Sequence, residues 1–278
     1  MKSVFRFLTR VILVLTAAAA LLFIWGYCIE PHRIRVETAS VGTAAELPAN
    51  ARGVRICAFS DTHLGFGYDA AMLEEAAETI DAQDPDLIVF LGDLYDDYGK
   101  LSPDTRQEDE VIAVLSLLSA PAGKYAVLGN HDYASNVQRD IDRILTAAGF
   151  TVLYDEAVEL PMYGLCVYGA RDRIYGGADP AAYTPKAGYY NVVLSHEPDV
   201  FDEMKGVDLM LSGHTHGGQI RVPFVGTLVD STYGRRYTSG LYSDSRGQIY
   251  VTRGLGMTIL KLRFLCPPEI SVLNIGGK

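Results

Sequence analysis

The stretch YAVLGNHDY, Tyr125 to Tyr133, decides how the rest of the chain is read. Tyr125–Leu128 is a short apolar run of the kind that becomes a buried strand, and Gly129 ends it. A strand that needed only a turn would continue with Asn-Gly or Asp-Gly. Here an amide, an imidazole and a carboxylate follow one another as Asn130, His131 and Asp132. The pattern recurs at four other strand-like runs. ICAFS is followed by Asp61-Thr62-His63, LIVFLG by Asp93, VVLS by His196, and LMLSG by His214-Thr215-His216. Ligand sites in α/β sheets gather beyond the carboxyl ends of the strands, so five such ends are expected to converge on one place.

The histidines sharpen this expectation. Of six in the chain, His63, His131, His196, His214 and His216 stand at these strand ends, and only His32 does not. One such histidine alone reads as an ordinary turn or core residue; five together, each after a strand, do not. Carboxylates, imidazoles and a neutral amide without a thiolate suit Mn²⁺, and also Zn²⁺ or Fe, better than a soft metal. The seven candidate ligands, Asp61, His63, Asp93, Asn130, His196, His214 and His216, exceed what one catalytic ion needs, so two divalent cations are implied. Two such ions clamp the attacking and leaving oxygens of an in-line displacement at phosphorus. One carboxylate would bridge them, and a bridging hydroxide would be the nucleophile.

Around these ends the chain alternates strand-like and helical runs as far as Thr151. Ala70–Gln83 places Met72, Leu73, Ala76, Ala77 and Ile80 at helical spacing, and Thr105–Leu118 does the same with Val111, Val114, Leu115 and Leu118. After Thr151 short strands dominate: TVLY, LCVYGA, NVVLS, DLMLS, QIRV, QIYVT and EISVLNI. Alternating elements followed by mostly β predict a layered α/β sandwich without an internal domain break.

The N-terminus is of a different character. Val11–Ile29 passes without a charge, close to the ~20 residues that cross a bilayer as a helix. Lys2, Arg6 and Arg10 precede it, and Trp25 and Tyr27 sit where an interfacial aromatic belt falls. The apolar run outlasts the core of a cleaved signal, so residues 1–30 read as an uncleaved single-pass anchor in the cell membrane. Residues 31–52 read as a juxtamembrane connector. Basic residues on both sides of the span leave only a small bias, toward a catalytic portion outside the cytoplasm. A net charge of −10 argues against a nucleic-acid partner. Cys28, Cys57, Cys166 and Cys266 are widely spaced and form no C-x-x-C pair, which argues against a zinc-thiolate site and a disulfide framework.

Taken together, D61-T-H63, G92-D93, G129-N130-H131-D132, H196 and G213-H214-T215-H216 resemble the motifs of the calcineurin-like metallophosphoesterases. The resemblance covers the chain from about Val54 onward. With its apolar N-terminus, SDTHLG and GHTHGGQI, the chain is similar to the membrane-associated bacterial branch. That branch includes phosphodiesterases and UDP-2,3-diacylglucosamine pyrophosphatases. The resemblance implies a metallophosphoesterase domain over residues 53–278, built as an α/β/β/α sandwich with two mixed sheets. It implies that Asp61, His63 and His216 hold one metal, that Asn130, His196 and His214 hold the other, and that Asp93 bridges both. It implies a catalytic His131 facing the substrate, with Asp96 as its orienting partner and Asp132 securing the turn. The substrate class it implies is a phosphodiester or pyrophosphate, such as a lipid-linked UDP-2,3-diacylglucosamine. A low-turnover metal-loaded binding or scaffolding module is the alternative, and the intact ligand set speaks against it.

Specificity is expected outside the motifs. Arg171 and Arg173 in GARDRIYGGADP, and Arg235 and Arg236 in YGRRYTSG, are candidate phosphate contacts or simply solvated basic loops. GLGMTILKLRFLCPP, Gly254 to Pro268, is apolar enough for sheet core or for a lip lying against the membrane.

Overall fold

The computed structural model describes residues 2–43, 47–229 and 231–277. Apolar runs over Arg55–Phe59 (β2), Leu87–Phe90 (β3) and Lys124–Ala126 (β4) form adjacent parallel strands, and Thr151–Val152 (β5) extends them. On the other side of β2 lies Glu269–Ile275 (β14), antiparallel, and beyond it Arg35–Val41 (β1), parallel to β14. The first sheet therefore runs β1-β14-β2-β3-β4-β5. The second contains Glu156–Leu160 (β6), Leu165–Gly169 (β7), Tyr190–Leu194 (β8), Leu209–Ser212 (β9), Gly240–Asp244 (β12) and Gly247–Val251 (β13). Its order is β12-β13-β9-β8-β7-β6, with β7, β8, β9 and β13 parallel and the two edges antiparallel. A small hairpin, Arg221–Val222 (β10) with Gly226–Thr227 (β11), stands apart.

The two sheets face each other through aliphatic side chains such as Ile56, Val89, Val127, Val167, Leu194 and Leu211, all removed from water. Both faces of the parallel strands are covered, which is why these strands are apolar throughout rather than alternating. The outer face of the first sheet packs on Ala70–Asp81 (α2), Glu108–Leu117 (α4) and Gln138–Ala147 (α6) through Leu73, Ile80, Val111, Leu115, Ile141 and Ile144. Asp69 caps α2 by accepting from the Met72 N–H at 3.0 Å. The run expected as one helix from Thr105 is divided: Pro103–Arg106 (α3) stops at Gln107, whose φ of +50° breaks the helix before α4. Over the second sheet lie a 3₁₀ segment, Pro198–Glu203, and tyrosine-rich loops that enclose Phe201, Met204 and Met210.

Lys2–Ile24 (α1) is a helix with every side chain exposed or nearly so, and it is long and apolar enough to cross a membrane. It continues as a π turn, Trp25–Ile29, and a 3₁₀ turn, Glu30–His32. These turns are fastened to the domain. The Arg263 N–H donates to the Gly26 carbonyl at 3.0 Å, and Glu30 accepts from Trp25 Nε1 at 2.7 Å and from the Cys266 N–H at 2.5 Å. The segment expected as a connector, residues 31–52, contains β1, paired with β14 along its whole length. All four cysteines are free thiols.

Candidate metal centre

Five strand ends meet above the carboxyl edge of the two sheets. Asp61 and His63 follow β2, Asp93 follows β3, Asn130 and His131 open the one-turn helix Asn130–Tyr133 (α5) after β4, His196 follows β8, and His214 and His216 follow β9. Asp61, His63, Asp93, His214 and His216 all have positive φ, between 45° and 70°. Such backbone costs of order 1–3 kcal/mol per residue and persists where surrounding structure demands it. Here the demand is that buried polar side chains turn inward off their strands together.

The backbone is cross-braced to hold them. The Asp61 N–H donates to the Gly92 carbonyl at 2.9 Å and the His63 N–H to that of Asp93 at 3.2 Å. Asp61 accepts from the His214 N–H at 3.0 Å and Asp93 from the His131 N–H at 2.9 Å. Asp132 does more than secure its own turn: it accepts from the N–H groups of Asp93, Leu94 and Gly129 at 2.8–3.0 Å. Gly129 and Gly213 are small because there is no room for more. A Cβ on Gly129 would press on the Asp93 carboxylate and the His196 ring, and one on Gly213 on the Asp61 carboxylate.

The side chains then offer donor atoms to a common space. Ligand atoms of Asp61, His63 and His216 lie within 4.8 Å of one another, as do those of Asp61, Asp93 and His196, and those of His63, Asp93 and His131. His63 Nε2 faces His216 Nε2 at 3.1 Å and Asp93 Oδ2 at 3.5 Å; His196 Nε2 is 3.2 Å from Asp93 Oδ2. Remote hydrogen bonds fix which nitrogen points inward. His196 Nδ1 sits 2.7 Å from the Leu91 carbonyl and His214 Nε2 2.6 Å from that of Thr232, contacts that require those nitrogens to carry hydrogen. Their other nitrogens are left as acceptors, the state in which imidazole binds a metal. Asn130 Oδ1 and His196 Nε2 are buried without a hydrogen-bond partner. A buried set of facing acceptors fits divalent cations and little else, because each uncompensated polar atom otherwise costs free energy.

Electrostatics agree with this fit at Asp93, His214 and His216, whereas at His196 burial is outweighed by Asp93 and Asp61 and the pKa is raised well above the usual imidazole range. Burial would raise the Asp93 carboxyl pKa, but His196, His131 and His63 hold it well below the usual range. Burial and the neighbouring His63 push His216 well down, and burial with His196 pushes His214 down, so both favour the neutral form. His131 is half-buried, and there burial is outweighed by Asp93 and the Asp96 carbonyl, so its pKa is raised.

Asp96 works differently from the expected orienting carboxylate. Its backbone carbonyl accepts from His131 Nδ1 at 2.6 Å, whereas its carboxylate lies 3.2 Å from His63 Nδ1 and 3.8 Å from His131. One residue therefore sets the ring orientation of two histidines. Asp97 turns away to Lys100.

A cavity of about 370 Å³ opens over the centre, lined by His63, Asp93, Asn130, His131, His214 and His216. Its remaining wall was not apparent from sequence: Ile174, Tyr175, Val229, Ser231, Thr232, Thr258 and Ile259. None of Arg171, Arg173, Arg235 or Arg236 is among the lining residues. Arg171 lies 3.5 Å from Asp155, Arg173 3.1 Å from Glu203, and Arg236 2.8 Å from Asp202. The loop that carries Arg171 and Arg173 thus delivers Ile174 and Tyr175 instead, residues with no distinguishing motif.

Residues 54–218, which carry every candidate ligand from Asp61 to His216, match the model of the calcineurin-like phosphoesterase family. The chain belongs to that family. It is 37% identical to an uncharacterized metallophosphoesterase, YkuE, of Bacillus subtilis over 90% of this chain and 89% of that one. It is 33% identical to the phosphodiesterase YaeI of Escherichia coli over 81% and 83%. It is 28% identical to the UDP-2,3-diacylglucosamine pyrophosphatase LpxG of Chlamydia muridarum over 94% of each. As a calcineurin-like phosphoesterase it is a metal-dependent phosphoester hydrolase, and its candidate ligands are the buried carboxylates and imidazoles described above.

Proposed function

We propose that this calcineurin-like phosphoesterase is a membrane-anchored enzyme that hydrolyses a phosphodiester or pyrophosphate bond with two divalent cations, on a lipid-linked substrate. The observation that carries this reading is the convergence of Asp61, His63, Asp93, His196 and His216, with His196 Nε2 and the adjoining Asn130 Oδ1 buried without a hydrogen-bond partner. Asp61, His63 and His216 would hold one cation; Asn130, His196 and His214 the second; Asp93 stands between the two sets. Bound there, the cations supply Lewis acidity toward the phosphoryl oxygens and lower the pKa of water. His131 is left with Nε2 for the cavity, since Nδ1 is engaged with the Asp96 carbonyl. It stabilises the phosphoryl oxygens and gives a proton to the leaving oxygen. Support for a lipid-linked substrate comes from the apolar wall of Ile174, Tyr175, Val229 and Ile259, and from the LpxG relatives. Support for an anchor comes from α1.

The test uses full-length protein in detergent, loaded in turn with Mn²⁺, Zn²⁺, Fe²⁺ and Mg²⁺. It is offered a phosphomonoester, bis(p-nitrophenyl) phosphate and a nucleoside-diphosphate lipid. His131→Ala is expected to keep both metals by elemental analysis and to lose ~10²-fold or more in kcat. Parent-level turnover by that variant would remove His131 from the mechanism. Absence of turnover with every metal and substrate would leave a metal-loaded binding module.

A further inference from the structure

We infer that the mouth of the metal centre is built to lie in the bilayer surface, through an apolar rim formed by the β10–β11 hairpin and the 258–265 loop. The argument starts from where exposed apolar side chains collect. Phe224, Val225 and Leu228 on the hairpin, and Ile259, Leu260 and Leu265 on the loop, are all more than half exposed, Phe224 completely so. Singly exposed apolar residues are ordinary; a contiguous group marks a surface that something covers.

The two segments form one unit. Gln219 donates through Nε2 to the carbonyls of Thr258, Leu260 and Leu262, and accepts from the Thr258 N–H at 2.8 Å. The Phe264 N–H donates to the Gln219 carbonyl at 3.0 Å, and the Arg221 N–H to that of Phe264 at 2.9 Å. The unit is held from beneath by Arg263, a fully buried guanidinium that donates to the backbone carbonyls of Arg253, Gly254, Gly256 and Cys266.

The occupant follows from continuity with α1. The same loop that exposes Ile259, Leu260 and Leu265 receives the foot of the apolar helix: Arg263 binds the Gly26 carbonyl and Cys266 binds Glu30. Wherever α1 enters a bilayer, this loop stands at its surface, with exposed Lys261, Arg33 and Arg35 beside it to meet lipid phosphates. Thr258 and Ile259 line the metal cavity while Ile259 is also 70% exposed, so the cavity mouth and the rim are continuous. A substrate with acyl chains can then present its phosphorus to the metals without leaving the interface. This last step rests on the proposed lipid-linked activity; the bilayer contact itself does not.

The contact is tested by placing the full chain, with Trp25→Phe, in vesicles of phosphatidylcholine carrying brominated acyl chains. Trp25 is the only native tryptophan, so a single reporter can be put back. Phe224→Trp is expected to be quenched strongly, and Met162→Trp, exposed at the start of β7 and hence at the opposite end of the sheet from the site, is expected not to be. Equal quenching at the two positions overturns the proposal. So does a Phe224→Trp emission that ignores lipid but shifts with protein concentration, which would mean a second copy covers the rim. In a separate assay, Phe224→Ser with Val225→Ser and Leu228→Ser should raise KM about tenfold for a phosphodiester lipid in vesicles, and leave soluble bis(p-nitrophenyl) phosphate unaffected. If neither diester is turned over by the parent, the proposed activity fails while the quenching result stands alone.

Discussion

The carboxylate of Asp132 accepts the backbone N–H of Asp93 at 2.8 Å, joining the ends of two strands whose residues are 39 apart in sequence. Its two oxygens also hold the Leu94 and Gly129 N–H groups. The loop that carries the central carboxylate and the turn that carries Asn130 and His131 are therefore one hydrogen-bonded piece. Asp132→Ala leaves three buried N–H groups without an acceptor, each costing about 1–3 kcal/mol. The expected result is a lower unfolding midpoint by thermal denaturation together with reduced metal content. A variant with parental stability and full metal occupancy would show that the brace is dispensable.

Gly129 has φ of −104°, which any residue can adopt, so only space restricts it. A methyl group there would stand 2.6 Å from His196 Cε1 and closer still to the Asp93 carboxylate. Gly129→Ala is expected to preserve the far-ultraviolet circular dichroism spectrum while displacing His196 and Asp93 enough to lower bound metal and activity. Full metal content in this variant, measured by elemental analysis, would mean that the two side chains have room to move.

How far the sequence revealed all this depends on burial. The interior strands and α2 were readable because their side chains are buried and their patterns therefore uniform. Strands β1, β6 and β12 were not, because each lies at a sheet edge with mostly exposed side chains and a mixed composition. The strand-end residues stood out because carboxylates and imidazoles after apolar runs conflict with core packing. The cavity wall did not, since Ile174, Val229 and Ile259 look like any loop hydrophobes. Nor did the inversion at Asp96, where the carbonyl rather than the carboxylate meets His131; backbone groups carry no signature in sequence. Arg263 read as one basic residue in an apolar run, and only the fold shows its guanidinium enclosed among carbonyls.

Removal of metal should expose the electrostatic cost of the centre. Without cations, the buried nitrogens His63 Nε2 and His216 Nε2 face each other at 3.1 Å. A cation that binds the folded protein at a hundred times its Kd stabilises it by about 2.7 kcal/mol. Chelation is expected to lower the unfolding midpoint by several degrees, and Mn²⁺ or Zn²⁺ to restore it in a concentration-dependent way. His216→Ala should lower the midpoint less on chelation than the parent does, because part of the ligand set is already gone. A chelator-independent midpoint in the parent would contradict a structural contribution from the metals.

Where a soluble form of this enzyme begins should decide whether it folds well. A chain starting at Arg52 discards β1 and leaves the long edge of β14 unpaired, an invitation to strand-strand association. It also discards Glu30, whose carboxylate satisfies the buried Cys266 N–H, a loss of about 1–3 kcal/mol by itself. It further removes Glu37, one of two carboxylates paired with Arg253 at 2.6 Å, and leaves only Glu269. A chain starting at Gly26 keeps all three and lacks only the apolar helix and Trp25. The shorter form is expected to elute partly as aggregate in size-exclusion chromatography and to unfold at a lower temperature than the longer one. Because Cys266 also packs its sulfur 3.3 Å from the His216 carbonyl, the shorter form should bind metal less tightly as well. Identical elution, stability and metal affinity of the two forms would show that residues 26–51 are accessory to the fold, against their pairing along the sheet.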